Sequence, residues 1–209
     1  HLRTRRQRQM CIRDSAMRAS EDNVPREFHQ TTWATTRAIE FISEERADQP
    51  WMLNINVYDP HPPFIPPKEY ADKFDPNDMP GPTFEPSDVT AQKKLVEADF
   101  QTTSKTPEES NAKEAQAKYY AMIALIDDEF GRLMNHLEST GQINNTVVIF
   151  TSDHGETLGD HGLFYKGCRF YEGLTRVPLI FYAPGRFGEG VECDQLTELL
   201  DMSASLLEL

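Results

Sequence analysis

Apolar residues recur along this chain with two different periods, and the longer period predicts helices. From about Glu108 to Gly141 they are spaced alternately by four and three residues, which places them on one face of a long helix that the glycine is suited to end. These apolar residues are Tyr119, Ile123, Ile126, Phe130, Leu133 and Leu137. A looser helical pattern spans residues 28–42, before Pro50, and an amphipathic segment spans residues 197–209.

Short apolar runs bounded by turn-forming residues predict strands at residues 51–57, 147–151 and 178–183. Because helices separate the strands along the chain, we expect an α/β fold with a mostly parallel central sheet and helices on both faces. Five prolines within residues 58–67 exclude regular structure there and stiffen the backbone around His61, which follows the first predicted strand.

A carboxylate and an imidazole stand side by side directly after the predicted strand at 147–151. Asp153 and His154 open a polar loop that ends before the next predicted strand, and long polar loops in compact domains are usually functional or disordered. A lone Asp-His pair after a strand is more often a cap or a turn, but a carboxylate suits calcium or magnesium and an imidazole suits transition metals. Two ligands are too few for such a cation, so the sequence indicates a metal site that other parts of the fold or the substrate complete.

His61 and Lys166 both lie in loops that leave predicted strands on what we expect to be the same edge of the sheet. Taken singly, His61 would be interpreted as an ordinary loop histidine and Lys166 as a solvated surface lysine. Together, a fixed ammonium and a protonated imidazole are suited to stabilise negative charge that develops on a substrate oxygen. The pair therefore indicates a catalytic site for an anionic substrate.

Four short blocks of the chain together resemble the sulfatase family, in the family's order and usual spacing. They read SDHGE at 152–156, GDHG at 159–162, KG at 166–167 and RVPLI at 176–180. The resemblance covers about residues 26–209 and implies an alkaline phosphatase-like fold and the hydrolysis of sulfate esters. It also implies that Asp153 and His154 bind one calcium ion (Ca2+), and that Lys166 and His61, in the string DPHPPF, contact the sulfate group.

The nucleophile motif of the family is absent from these 209 residues. Sulfatases carry a Cys-x-Pro-Ser-Arg type motif whose cysteine, or serine in some members, becomes a formylglycine, and none of the three cysteines here is followed by that pattern. Early acidic metal ligands, a Gly-Lys-Trp-His block and the smaller C-terminal subdomain are likewise not found. We therefore expect a fragment, the central and later part of a sulfatase-like α/β catalytic domain over residues 16–209, without sulfatase activity of its own.

Two other functions remain open. A phosphodiesterase or phosphonate monoester hydrolase of the alkaline phosphatase superfamily shares the Asp-His block but differs in its nucleophile, a Thr or Ser, and in its two transition metals. A non-catalytic protein that binds sulfated glycans keeps the fold without the nucleophile, although such a protein has no evident reason to retain both His61 and Lys166. Residues 75–107 form a polar excursion that carries no recognisable substrate code.

The first 15 residues differ from the rest, and we interpret them as a non-native or misassembled basic leader. They contain five arginines against one acidic residue, and a genuine basic arm that binds nucleic acid or a membrane surface is the rival interpretation. Removing them takes away five of the 21 basic and one of the 34 acidic residues and leaves a net charge of −17. A chain that acidic is not expected to bind nucleic acid.

Other features limit the context of the protein. No apolar run approaches the roughly 18 residues of a membrane-spanning helix, and Cys168 and Cys193 do not define a disulfide framework. The substrate implied by the resemblance is a sulfated small molecule or a sulfated glycan. Oligomeric state and location are not encoded in these residues, and export to the periplasm or the cell exterior is favoured by the family resemblance alone.

Overall fold

The computed structural model describes residues 24–44, 49–94 and 104–208, so the basic leader at residues 1–15 lies outside the described residues. The strands are β1 (Val148–Thr151) and β2 (Leu179–Tyr182). The α-helices of the described residues are α1 (Gln30–Ser43), α2 (Lys68–Ala71), α3 (Pro86–Lys93), α4 (Ala112–Ser139), α5 (Glu172–Thr175) and α6 (Leu199–Glu208). The three segments with predicted helical periodicity thus form α1, α4 and α6.

The long helix α4 ends where the sequence predicted and begins slightly later. Its first residue is Ala112 rather than Glu108, because residues 107–109 form a separate 3₁₀ turn. Thr106 caps that turn, since its Oγ1 accepts a hydrogen bond from Glu109 N at 3.3 Å. Gly141 follows the helix with φ of 73°, a left-handed conformation that favours glycine.

The buried face of α4 packs against α1 at its C-terminal end and against α2 nearer its start. At the first contact Leu133 and Leu137 share a buried cluster with Ile42 of α1. At the second, Tyr70 of α2 is 1% exposed and clusters with Leu125. Burial of one large apolar side chain contributes about 1.5–3 kcal/mol, so these contacts make α4 the central support on which the loops of the candidate site rest.

A buried carboxylate adds a polar connection between α1 and α4. Glu129 is 1% exposed, and its Oε1 accepts hydrogen bonds from Arg26 Nη2 at 3.0 Å and from Thr32 Oγ1 at 3.2 Å. Its Oε2 accepts from Arg132 Nε at 2.9 Å. The two guanidinium groups compensate the buried charge, and the network fixes the start of α1 to the middle of α4.

The described sheet consists of β1 and β2, which pair antiparallel with Val148 opposite Tyr182 and Thr151 opposite Leu179. The sequence predicted a mostly parallel sheet, and this pair departs from that prediction. Parallel pairing needs a crossover of a dozen or more residues that usually contains a helix, whereas the only α-helix in the fully described connection between β1 and β2 is α5, of four residues. The chain therefore returns alongside β1, and the start of β2 lies beside the end of β1.

The prediction of a strand at residues 51–57 is wrong, although alternate side chains of this segment do face the core. Trp51, Leu53 and Ile55 pack against the core cluster between α1 and α4, while Met52 is 75% exposed. Among the described residues this segment joins no sheet. An alternating pattern reports which side chains face the core, whereas a strand also requires a hydrogen-bonded neighbour.

Candidate active site

Asp153 and His154 follow the end of β1. The Asp153 side chain is 87% exposed, and its Oδ2 lies 3.6 Å from His154 Nε2. His154 Nδ1 donates to the Gly155 carbonyl at 2.7 Å, so Nε2 carries the lone pair of the neutral ring. Two ligand atoms of one calcium ion, each about 2.3–2.6 Å from it, lie roughly 3–4 Å apart at a near-right angle. The pair therefore fits a shared cation.

The described residues do not form a complete metal site. Among them, no group of three or more His, Cys, Asp or Glu side chains is arranged to hold a metal ion. Calcium takes about six to eight ligands, and Asp153 with His154 provides two positions of such a set. The donor types fit calcium in part, and any calcium bound here would need further ligands from beyond the described residues, from solvent or from a substrate.

The segment after His154 is fixed to α5 by its backbone. Gly155 N donates to Leu174 O at 2.8 Å, and Glu156 N donates to Gly173 O at 3.0 Å. A Cβ on Gly155 would lie 1.9 Å from Gly173 O. Only glycine allows this approach, so the backbone that follows the candidate metal ligands is held at close range by α5.

Lys166 lies at the closing end of the same loop, near Glu156. Thr157 is 1% exposed and donates from N and Oγ1 to Tyr165 O at 3.1 and 2.7 Å, which brings the two ends of the loop together. Burial raises the pKa of Glu156 to about 7, while the hydrogen bond from Thr157 N and the charge of Lys166 act in the opposite direction. The Lys166 ammonium is therefore close enough to this carboxyl to act on it electrostatically.

His61 lies in a turn of the proline-rich loop, and residues of the same loop hold its ring. Its backbone N–H donates to Tyr58 O at 3.1 Å, and its Nδ1 donates to Pro62 O at 2.7 Å. The Tyr58 ring centroid is 4.6 Å from that of the imidazole, and its hydroxyl donates to the same Pro62 carbonyl at 3.0 Å. Nε2 is the other ring nitrogen, and when protonated it can donate to an anionic oxygen.

Tyr119 of α4 lies near both the proline-rich loop that contains His61 and the loop that contains Lys166. Phe64, three residues after His61, packs edge-on against Tyr119 of α4 with ring centroids 5.8 Å apart. Burial, and then the nearby charge of Glu156, raises the pKa of Tyr119 to about 12. Tyr119 therefore contacts the loop of His61 through Phe64 and lies close enough to Glu156, in the loop of Lys166, for that charge to act on it.

Two other polar residues attach the Lys166 loop to the segment that contains α3. Asp160 Oδ1 accepts from Thr83 N at 2.7 Å, and His161 N donates to Thr83 O at 2.7 Å. The His161 ring stacks on Tyr171 at 3.9 Å, with 17° between the planes, and its Nδ1 lies 3.3 Å from Asp88 Oδ2. These contacts give Asp160 and His161 a role in holding the loop.

The attachment continues through Gln92 of α3, which is 2% exposed. Its Nε2 donates to the Tyr171 hydroxyl at 2.8 Å, and its Oε1 accepts from Arg169 Nε at 2.6 Å. Part of the polar segment at residues 75–107 thus forms hydrogen bonds that hold the loop of the candidate site in place. Sequence reasoning missed this role because the partners are 77 to 79 positions apart and share no local pattern.

Sequence reasoning also missed a buried polar cluster beneath the proline-rich loop. Asp59, 5% exposed, accepts from Gln30 Nε2 at 2.8 Å and from Thr31 Oγ1. His29 Nδ1 lies 3.3 Å from Asp59 Oδ2. The only local signal is the polar string His29-Gln30-Thr31 at the start of a helical pattern, where capping residues are expected.

Among the described residues, Cys168 and Cys193 are both exposed and form no disulfide. In the described ranges, no helix is both long and apolar enough to cross a membrane.

Comparison with known proteins identifies relatives over most of the chain. A family model described as Sulfatase matches residues 7–209. An arylsulfatase of Clostridium perfringens is 33% identical over 184 residues, which cover 87% of this chain and 38% of that protein. The multifunctional alkaline phosphatase superfamily protein PehA of Trinickia caryophylli is 32% identical over 200 residues, which cover 88% of this chain and 38% of that protein. This chain therefore spans about two fifths of the length of these curated relatives.

A solved structure shows the same architecture. The crystal structure of a phosphonate monoester hydrolase of Agrobacterium radiobacter matches with a TM-score of 0.68 and 28% identity, over 88% of this chain and 40% of that one. The match confirms the α/β fold of alkaline phosphatase type predicted from the sequence. The antiparallel pairing of β1 and β2 is a local departure within that fold class.

Proposed function

This chain belongs to the sulfatase family, and from this premise we propose that the protein hydrolyses sulfate esters. The observation that carries the proposal is the geometry after β1, where Asp153 Oδ2 and the lone pair of His154 Nε2 lie 3.6 Å apart. A sulfate ester is anionic, and a cation held by this pair would, together with His61 and Lys166, concentrate positive charge on the sulfate oxygens.

We assign Asp153 and His154 to a calcium site. The exposed carboxylate is a hard oxygen ligand, and the Gly155 carbonyl selects the imidazole tautomer that presents Nε2. When bound, calcium supplies positive charge that offsets the charge of a sulfate oxygen and orients the ester. The early acidic ligands expected from the family would complete the coordination shell.

In this proposal His61 and Lys166 bind the sulfate group. Because the Pro62 carbonyl occupies Nδ1 of His61, its protonated Nε2 is the donor available to a sulfate oxygen. The Lys166 ammonium is a second donor, and both groups stabilise the charge that grows on oxygen as the ester bond breaks. The nucleophile expected from the family is a formylglycine, whose motif does not occur in these 209 residues.

The test is turnover by the full-length protein that the source gene encodes. With 4-nitrophenyl sulfate and a sulfated glycan as substrates, we expect sulfate release that a chelator abolishes and calcium restores. His61→Ala and Lys166→Ala should lower kcat/KM by about 10²–10³-fold, while Lys68→Ala, which removes an exposed lysine paired with Asp72, should leave it unchanged. No sulfate release from either substrate in the presence of calcium would contradict the proposal.

The 209-residue chain alone should show no turnover above background. A hydrolase without its nucleophile keeps only about 10³–10⁴-fold acceleration over water, which a standard sulfatase assay does not detect. Turnover by this chain comparable to that of an ordinary enzyme would show that it contains an unrecognised nucleophile.

A second candidate is hydrolysis of phosphonate monoesters or phosphodiesters. It is supported by the likeness to the Agrobacterium radiobacter phosphonate monoester hydrolase, with a TM-score of 0.68, and by 32% identity to a protein described as multifunctional. Both ester classes present tetrahedral anions to the same cationic groups, so the described residues serve either. The ratio of kcat/KM for 4-nitrophenyl sulfate to kcat/KM for a 4-nitrophenyl phosphonate monoester decides between them, since a ratio above one supports the sulfatase and a ratio below one supports the phosphonate hydrolase.

A further inference from the structure

Both ends of the proline-rich loop that carries His61 are attached to the first residues of α1 and its cap. At one end, Asp59 accepts from Gln30 Nε2 at 2.8 Å and lies 3.3 Å from His29 Nδ1. At the other end, the Ile65 carbonyl accepts from His29 Nε2 at 3.3 Å. The imidazole of His29 therefore spans the loop, with one ring nitrogen at each end.

This attachment is buried, and both ring nitrogens are used. His29 is 4% exposed, and Thr31, whose hydroxyl also donates to Asp59, is 0% exposed. A carbonyl only accepts, so Nε2 of His29 carries a proton in its bond to Ile65. Nδ1 pairs with the Asp59 carboxylate when the ring is cationic and accepts from Thr31 N at 3.4 Å when the ring is neutral. The ring orientation is fixed in either state.

The contacts within the proline-rich loop orient the His61 ring, but they do not fix the position of the loop as a whole. Tyr58 and Pro62 orient the His61 ring, but both belong to the loop that they stabilise. Phe64 packs on α4 through an apolar contact, and apolar contacts are non-directional. Hydrogen bonds to residues outside the loop are needed to fix where the loop places the His61 ring. His29 supplies one to Ile65 and contacts Asp59, whose carboxylate also accepts from Gln30 and Thr31 beside it.

We propose that His29 is a positioning residue that holds Nε2 of His61 at the sulfate group. The proposal rests on the sulfate-ester chemistry proposed above for His61. A misplacement of about 1 Å can cost about a hundredfold in rate. Removal of His29 is therefore expected to lower kcat about a hundredfold and to change KM little, because the other contacts to the substrate are retained.

The first experiment does not depend on turnover. The complete protein is labelled with ¹⁵N-histidine, and the ring resonances of His61 are assigned by their loss in His61→Gln. In His29→Ala we expect these resonances to shift or broaden. In His29→Gln, whose side-chain amide can donate to the Ile65 carbonyl, they should return towards their wild-type positions.

Two further variants complete this experiment. His136→Ala removes a histidine that contacts Ser43 Oγ at 3.1 Å at the far end of α1, and it should leave the His61 resonances unchanged. Asp59→Asn is nearly isosteric and weakens the other end of the attachment, so it replaces His29→Ala if that variant does not fold. His61 resonances that match the wild type in folded His29→Ala, or in Asp59→Asn when it serves as the replacement, overturn the proposal.

The second experiment is a double-mutant cycle on turnover by the complete protein. His29→Ala should lower kcat about a hundredfold, and His29→Gln should recover most of the loss. In a His61→Ala background, His29→Ala should have no further effect, because it acts through His61. Losses that multiply in the double variant overturn the positioning role. If the wild-type protein has no sulfatase turnover, the proposed function is wrong, and the His61 resonances alone decide whether His29 positions the ring.

Discussion

Replacing Gly155 with alanine should separate the candidate metal site from α5. The added Cβ would lie 1.9 Å from the Gly173 carbonyl oxygen, whereas non-bonded heavy atoms are most stable at about 3.5 Å or more, so the backbones must move apart by about 1.5 Å. The hydrogen bonds from Gly155 N to Leu174 O at 2.8 Å and from Glu156 N to Gly173 O at 3.0 Å cannot persist at that separation. At about 1 kcal/mol each, their loss should lower the free energy of unfolding by about 2 kcal/mol.

Urea denaturation followed by circular dichroism measures this change, and the chain offers a matched control. Gly131 lies inside α4, where an added Cβ meets no atom within 4 Å. Gly131→Ala should therefore raise the free energy of unfolding by up to about 1 kcal/mol, because alanine favours the helix. The same added methyl group is thus expected to act with opposite sign at the two positions. A loss below about 0.5 kcal/mol in Gly155→Ala, or equal losses in both variants, would refute the reasoning.

The same displacement should weaken the calcium binding that we propose for the complete protein. His154 Nδ1 donates to the carbonyl of Gly155, so movement of that backbone reorients the ring. Changes to groups that orient a metal ligand typically cost about 10–100-fold in affinity. Isothermal titration should show this loss in Gly155→Ala and unchanged affinity in Gly131→Ala, and equal affinities in all three proteins would disprove the link between the backbone approach and the metal site.

Three further substitutions test buried polar groups by urea denaturation. Glu129→Ala should lower the free energy of unfolding by about 3 kcal/mol, since it removes charge-assisted hydrogen bonds worth about 1.5–3 kcal/mol each, whereas Glu138→Ala at an exposed position of the same helix should change it by less than about 0.5 kcal/mol. Burial raises the pKa of Glu156 from 4.5 to about 7, so the stability that its neutral form gives is complete below pH 4.5 and is lost as the pH rises through 7. The stability of Glu156→Gln relative to the wild type should therefore increase by on the order of 2 kcal/mol from pH 5 to pH 8, and parallel pH profiles of the two proteins would contradict this. Gln92→Ala should lower the free energy of unfolding by about 1–3 kcal/mol, because buried Arg169 loses an acceptor, and an unchanged urea midpoint would show that these hydrogen bonds do not contribute to stability.

Helices α1, α4 and α6 were predictable from the sequence because their apolar periodicity is a local signal, but the buried stripe of α4 was only partly predictable. The pattern placed Ile123 on the buried face, and it is 42% exposed. The buried stripe instead includes every fourth residue, which are Ala117, Ala121, Leu125, Glu129, Leu133 and Leu137. A hydrophobic pattern cannot include Glu129, because the charge of that residue is acceptable in the core only through its arginine partners.

The residues of the candidate site were likewise only partly predictable from the sequence. Asp153, His154, His61 and Lys166 were identified as candidates because they stand in short blocks of sequence, and their roles stay predictions. His29 was missed, because it meets the His61 loop only after the chain has folded, through contacts such as that to Ile65, 36 positions away. The pairing direction of β1 and β2 likewise depends on how the intervening loop folds, which no short pattern reports.

The brace between residues 83–92 and residues 160–171 has a consequence for loop grafting. Chimaeras that exchange loops between related proteins usually take their boundaries from sequence, and no local sequence pattern shows that residues 83–92 contact residues 160–171. Here Thr83 and Gln92 hydrogen-bond to residues of the second segment. A graft that moves one segment without the other therefore breaks a buried interface, and the two segments should be exchanged together as one unit.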